Sequence, residues 1–180
     1  MDVIANWKIL DSSYYFTCPW LKVRKDVVQL PNGVEVPDFY ITETPDWINV
    51  IAITSEGKFI IEEQYRHGIQ KVCFELCAGM VDSGELPIDA AKRELMEETG
   101  YSGGNWTPFG MSVPNASGST TKCYHFLATD VLYYNKPKLE QTEDIKIHLL
   151  TQQEVIKLMN DGHITEAVML APLWRYFANK

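Results

Sequence analysis

The chain has no hydrophobic run approaching the roughly 18 residues needed to cross a bilayer, so no membrane-spanning helix is expected within it. Basic residues are in the minority, with 16 Lys and Arg against 24 Asp and Glu and a formal charge of −8. No basic patch interrupts that balance, so neither a nucleic-acid backbone nor an anionic membrane is expected as a partner. A polyphosphate compound stays compatible with it where divalent cations supply positive charge locally.

Cysteine is scarce too. The four cysteines form no CxxC pair: Cys18 and Cys123 stand alone, while Cys73 and Cys77 sit four apart in an expected strand and should face the same way. Lacking zinc spacing, they read as buried free thiols in a reducing compartment. The first twenty residues hold Asp2, Lys8 and Asp11 and no apolar core of a secretory signal, so a cytoplasmic location is expected. The sequons Asn105-Trp106-Thr107 and Asn115-Ala116-Ser117 are discounted on the same ground. Internal repeats and low-complexity tracts are also missing.

What is present is core-forming material: 46% of the 180 residues are hydrophobic, enough for one compact domain and too few for two large ones. Residues 1–47 are dense in aromatics, including Trp7, Tyr14, Tyr15, Phe16, Trp20, Phe39 and Tyr40. Leu30-Pro31-Asn32-Gly33-Val34 joins two strand-like runs, about 20–30 and 34–42, as a hairpin. A two-stranded aromatic sheet is marginal alone, so this N-terminal antiparallel subdomain is expected to serve dimerisation and substrate contact in a homodimer.

Downstream, β-rich runs at 49–53, 58–65, 72–76, 106–113, 122–131 and 145–150 surround one internal helix. Thr151 with Glu154 forms a capping box for a helix to about 160, Gly162 ends it, and Thr165 opens a last helix that Pro172 should shorten or kink. This order predicts an α/β fold, an α/β/α sandwich with a mixed sheet over 48–180, preceded by the small antiparallel sheet.

The internal helix carries the chemistry. Pro87 suits its first turn and Gly100 the left-handed residue that closes it, which predicts a helix over 87–99. At about 100° per residue, Glu97 and Glu98 fall within roughly 60° of Glu94 on one face. Like charges at that spacing cost about 0.2–0.5 kcal/mol, and acids in a last turn oppose the helix dipole. Arg93 can reach Glu97 but cannot neutralise three carboxylates, whereas clustered oxygens are what Mg²⁺ or Mn²⁺ takes. For the glutamates alone a solvated charged face is the commoner explanation; the wider spacing argues against it.

Gly79, Glu85, Arg93, Glu94, Glu97, Glu98 and Gly100 stand at the fixed places of one pattern: glycine, five residues, glutamate, seven residues, then Arg-Glu-apolar-any-Glu-Glu-any-Gly. A chance match is on the order of 10⁻⁹ per starting position. The stretch resembles the Nudix box of the Nudix hydrolases, with Tyr101 where the box normally ends in an aliphatic residue. Outside it, Gln64-Tyr65-Arg66, Glu75-Leu76-Cys77-Ala78-Gly79 and Glu140-Gln141-Thr142-Glu143-Asp144-Ile145 are similar to the ADP-ribose and nucleotide-sugar pyrophosphatase branch. The resemblance spans about residues 48–175.

That resemblance implies a Nudix-type fold and metal-dependent cleavage of a pyrophosphate bond, with ADP-ribose giving AMP and ribose 5-phosphate. It implies that the Ala78 carbonyl joins Glu94 and Glu98 in holding metal, that Glu97 ligates or orients, and that Arg66, with Glu75, binds substrate. Without it, Arg66 reads as a surface residue paired with Glu62 or Glu63. Gly79, Glu85, Arg93 and Gly100 are expected to be structural, with Arg93 orienting Glu97 and Glu85. The general base is expected from Glu143 or Glu140, or else from Glu97 or Glu98 in the box; Gln141 stands where several relatives have an acid, and Cys77 where they have proline. The alternatives are a Nudix enzyme for GDP-mannose, another nucleotide sugar or coenzyme A, and a non-catalytic nucleotide-binding module.

Overall fold

The computed structural model describes residues 4–178. The chain divides into two compact units, one of residues up to Pro45 with Val113–Thr121, the other of Asp46–Ser112 with Lys122 onward.

The first unit is built on an antiparallel sheet of β1 (Lys8–Thr17), β2 (Lys22–Gln29) and β3 (Glu35–Glu43) in that order. The expected hairpin is present, with Gly33 at φ 88° in its turn. The sheet has three strands rather than two, because Lys8–Thr17 pairs with β2 across the turn at Cys18–Leu21. Two register shifts and a wholly exposed face-to-face pattern hide β1 from an alternation test. Aromatics of this unit pair across strands, Trp7 on Phe39 and Tyr15 on Tyr40, each with ring centroids 5.8 Å apart, yet Trp7, Tyr15 and Tyr40 stay exposed.

The second unit holds a mixed sheet whose path is β11 (Ile145–Leu150), β5 (Phe59–Arg66), β4 (Trp47–Thr54), β10 (Cys123–Tyr133) and β8 (Tyr101–Ser102). β6 (Lys71–Glu75) pairs β5, β7 (Cys77–Met80) pairs β4, and β9 (Asn105–Ser112) pairs β10. Among the described strands of this sheet, β4 and β10 are the one parallel pair. β4 is nearly all buried because both of its faces are covered.

Alternation along β4 sorts the core. Ile48, Val50 and Ala52 pack with Ala90, Ala91 and Leu95 of the box segment, while Ile51 and Ile53 pack with Val155, Met159 and Leu173 of the C-terminal helices. Helices therefore cover both sheet faces in an α/β/α sandwich, with α1 (Pro87–Glu94) on one side and α2 (Gln152–Asn160) and α3 (Ala167–Ala178) on the other.

Thr151 caps α2 through a capping box: its Oγ1 accepts from Glu154 N at 3.3 Å, and Glu154 Oε2 accepts from Thr151 N at 2.7 Å. Pro172 does not shorten α3, which runs on to Ala178. The carbonyl that loses its helical donor to proline is that of Val168, and Asn49 Nδ2 of β4 donates to it at 2.7 Å. Cys73 and Cys77 do not share a strand face, since they fall on β6 and β7, which pair with different neighbours. All four cysteines are free, three of them buried.

Candidate active site

The box segment begins with Pro87 at the first helical position, where a missing N–H costs nothing. The expected α-helix stops at Glu94, and Leu95–Thr99 winds as a π-helical turn before Gly100 closes it at φ 76°. Such wide turns are rare and concentrate at functional sites. Thr99 Oγ1 donates to Leu95 O, and the loop after β10 satisfies the end: Lys138 N donates to Glu97 O at 2.7 Å and Tyr134 N to Gly100 O at 2.8 Å. A Cβ on Gly100 would lie 2.0 Å from Asn135 O, so the position needs glycine twice over.

The three glutamates do not share one environment. Glu98 is 5% exposed and the Glu94 side chain 14%, whereas that of Glu97 is 44% exposed on the outer side. Glu94 lies against β7, where a Cβ on Gly79 would come within 2.1 Å of Glu94 Oε1. Glycine there lets the carboxylate rest beside the strand that carries the Ala78 carbonyl.

Arg93 organises the rim. Its Nε and Nη2 hold Glu85 at 3.0 and 2.9 Å, Nη1 donates to Glu94 Oε1 at 2.8 Å and Glu97 Oε2 at 3.3 Å, and Nη2 reaches Met80 O at 3.2 Å. Glu85 caps no helix; it accepts from Asp82 N at 3.2 Å and ties that turn to Arg93. The guanidinium holds the Glu85 carboxyl below its ordinary range.

Glu62 was not among the residues expected here. It is wholly buried on β5 and lies with Cys77 and Glu98 so that their donor atoms fall within 4.8 Å of one another. The signal was available: in Phe59-Ile60-Ile61-Glu62 the period of two puts Glu62 on the face of Ile60, which is core. Both Glu62 oxygens and Glu98 Oε2 lack a hydrogen-bond partner among the described residues. Burial drives the Glu62 pKa well above the carboxylate range and raises that of Glu98 to about 7. Burial also raises Glu94, with Arg93 opposing.

Arg66 is paired with neither Glu62 nor Glu63. Its Nε lies 3.0 and 2.9 Å from the two oxygens of buried Glu75, while Glu63 takes His148 at 2.7 Å and Lys146 at 3.3 Å. The Arg66 side chain remains 43% exposed. Glu143 is half-buried, and its charge adds to the upward shifts of Glu94 and Glu98. Glu140 is exposed, its N–H donating to Glu143 Oε2 at 2.7 Å.

A cluster of buried acids with unsatisfied oxygens, beside a glycine cradle that a Cβ would fill, fits a divalent cation. Residues 45–170 match the NUDIX domain. The chain belongs to the Nudix hydrolase family.

Residues 7–42 of this Nudix hydrolase match the nucleoside diphosphate sugar hydrolase N-terminal domain. The chain is 30% identical over 141 residues to an ADP-ribose pyrophosphatase of Bacillus subtilis, covering 78% of this chain and 76% of that one. It is 31% identical over 121 residues to a GDP-mannose pyrophosphatase of Pectobacterium atrosepticum, covering 62% of each. A solved ADP compounds hydrolase superposes with a TM-score of 0.82 at 19% identity, over 97% of this chain and 94% of that one, which establishes a shared fold.

Proposed function

We propose that the chain hydrolyses the pyrophosphate bond of a nucleoside diphosphate linked to another group, with ADP-ribose yielding AMP and ribose 5-phosphate. The observation that carries this reading is the pair of box carboxylates, Glu94 seated against the bare backbone of Gly79 and Glu98 buried with an Oε2 that no described donor satisfies. The relative named ADP-ribose pyrophosphatase supports the substrate, and the one named GDP-mannose pyrophosphatase keeps a second nucleotide sugar in play.

Glu94, Glu98 and the Ala78 carbonyl would hold Mg²⁺ or Mn²⁺, with Glu97 ligating or orienting. Such ions, when bound, acidify water and neutralise charge building on phosphoryl oxygens. Arg93 keeps Glu94 and Glu97 in place through the bonds described above. Glu143 takes the proton of the attacking water, whose oxygen ends on one phosphorus as the bridging P–O bond breaks. Arg66, aimed by Glu75, pairs with a substrate phosphate. Residues 1–47 join two copies, burying exposed Trp20, Tyr15 and Phe16. Free, mostly buried cysteines suit a reducing cytoplasm.

The test is chromatography of products after incubation with ADP-ribose, GDP-mannose or coenzyme A in Mg²⁺ or Mn²⁺, with and without chelator. AMP and ribose 5-phosphate formed only with metal are expected. Inertness toward every compound rejects hydrolysis, and turnover of GDP-mannose alone moves the substrate. Sedimentation at micromolar concentration tests the dimer, which a monomeric mass refutes.

A further inference from the structure

Glu62 and Cys77 have no part in the hydrolysis just described, yet each places a donor atom within 4.8 Å of Glu98. Glu62 and Cys77 are both 0% exposed, and Glu62 has no protein donor among the described residues, facing only the Glu98 carboxyl closely enough to share a proton. A buried carboxylate left in this way carries a desolvation cost that a bound cation removes. The three donors come from three separate elements, β5, β7 and the π-turn, each locked in the core around Ile60 and Leu95. Two oxygens and one sulfur are a poor set for Mg²⁺, which takes oxygen ligands, and a good one for a borderline cation that accepts thiolate.

We propose that Glu62, Cys77 and Glu98 form an inner cation site with a mixed oxygen and sulfur donor set, which takes Zn²⁺ or Co²⁺ in preference to Mg²⁺. It shares Glu98 with the proposed catalytic set, so cation identity at this position bears on the hydrolase without depending on its substrate. Donors bound to one tetrahedral ion lie about 3.3–3.8 Å apart, so these atoms, within 4.8 Å of one another, need only a small closing movement to meet on it.

The experiment is a Co²⁺ titration of the full chain after chelator treatment, read by near-ultraviolet absorption. A thiolate-to-cobalt charge-transfer band that saturates, is bleached by Zn²⁺ and persists in large Mg²⁺ excess is expected. Cys77→Ser should lose the band, and Glu62→Gln should weaken Co²⁺ binding by on the order of 10–100-fold. Absence of the band, or its survival in Cys77→Ser, overturns the site. Should Cys77→Ser fail to fold, Glu62→Gln decides alone, since unchanged Co²⁺ affinity there also overturns it. No band in a protein that cleaves ADP-ribose with Mg²⁺ overturns this site and leaves the pyrophosphatase reading standing; a Cys77-dependent band in a protein that cleaves nothing does the reverse.

Discussion

Asn49 supplies the hydrogen bond that Pro172 takes away. Its Nδ2 donates to Val168 O at 2.7 Å, the carbonyl four residues before the proline, and its Oδ1 accepts from His125 Nδ1 at 2.7 Å. Because Asn49 uses its amide on Val168, the His125 proton sits on Nδ1, and Nε2 accepts from Ser112 Oγ at 2.9 Å.

Asn49→Ala should therefore cost about 3 kcal/mol, since it strands a buried carbonyl and a buried imidazole N–H. In a Pro172→Ala background the backbone N–H returns, and the same substitution should cost about 1 kcal/mol less. Urea unfolding of the four proteins measures this; strictly additive costs would sever Asn49 from Pro172.

Burial, with the Arg175 charge adding to it, lowers the His125 pKa from 6.5 to about 4. The unfolded imidazole binds a proton near pH 6.5 while the folded one does not until about 4, so acid favours the unfolded chain across that window. Full loss amounts to about 3 kcal/mol. Glu98 and Glu62, whose pKa values are raised, act in the opposite direction. The His125 contribution is thus the difference between parent and His125→Gln, followed by urea unfolding in chelator from pH 7.5 to 4. A difference constant with pH would rule it out.

Gly79→Ala should drive Glu94 from its seat, because the new Cβ would stand 2.1 Å from Oε1. A displacement of this kind costs on the order of a hundredfold in kcat, with the fold retained by circular dichroism. Parental turnover of ADP-ribose in this variant would show that the position of Glu94 is not needed.

Glu94→Gln and Glu98→Gln should each lower kcat by about a hundredfold or more and weaken Mn²⁺ binding measured calorimetrically. Glu143→Gln should lower kcat comparably and leave Mn²⁺ binding intact, while exposed Glu140 should tolerate the same change. If Glu143→Gln turns over like the parent, the base lies in the box, with Glu97 next in line.

Local chemistry alone was enough for much of this molecule. The spacing from Gly79 to Gly100 specifies the family, Pro87 and Gly100 mark where the helical segment starts and stops, and Thr151 with Glu154 starts α2, because each depends on a few neighbouring residues and their backbone donors. The order of strands and helices likewise forecasts the α/β/α sandwich. What the tertiary structure decided depends on register between distant strands. β5 pairs β4 only at Ile53 and Phe59 and then takes β6 as its neighbour, while β7 takes β4, and the donors of Glu62 and Cys77 meet Glu98 in that arrangement. No spacing in the chain encodes that meeting, nor the π-turn that separates the burial of Glu98 from the exposure of Glu97. The same holds for Asn49 and Pro172, 123 positions apart by their numbers, joined only because β4 lies beneath α3 and an orphaned carbonyl had to find a donor.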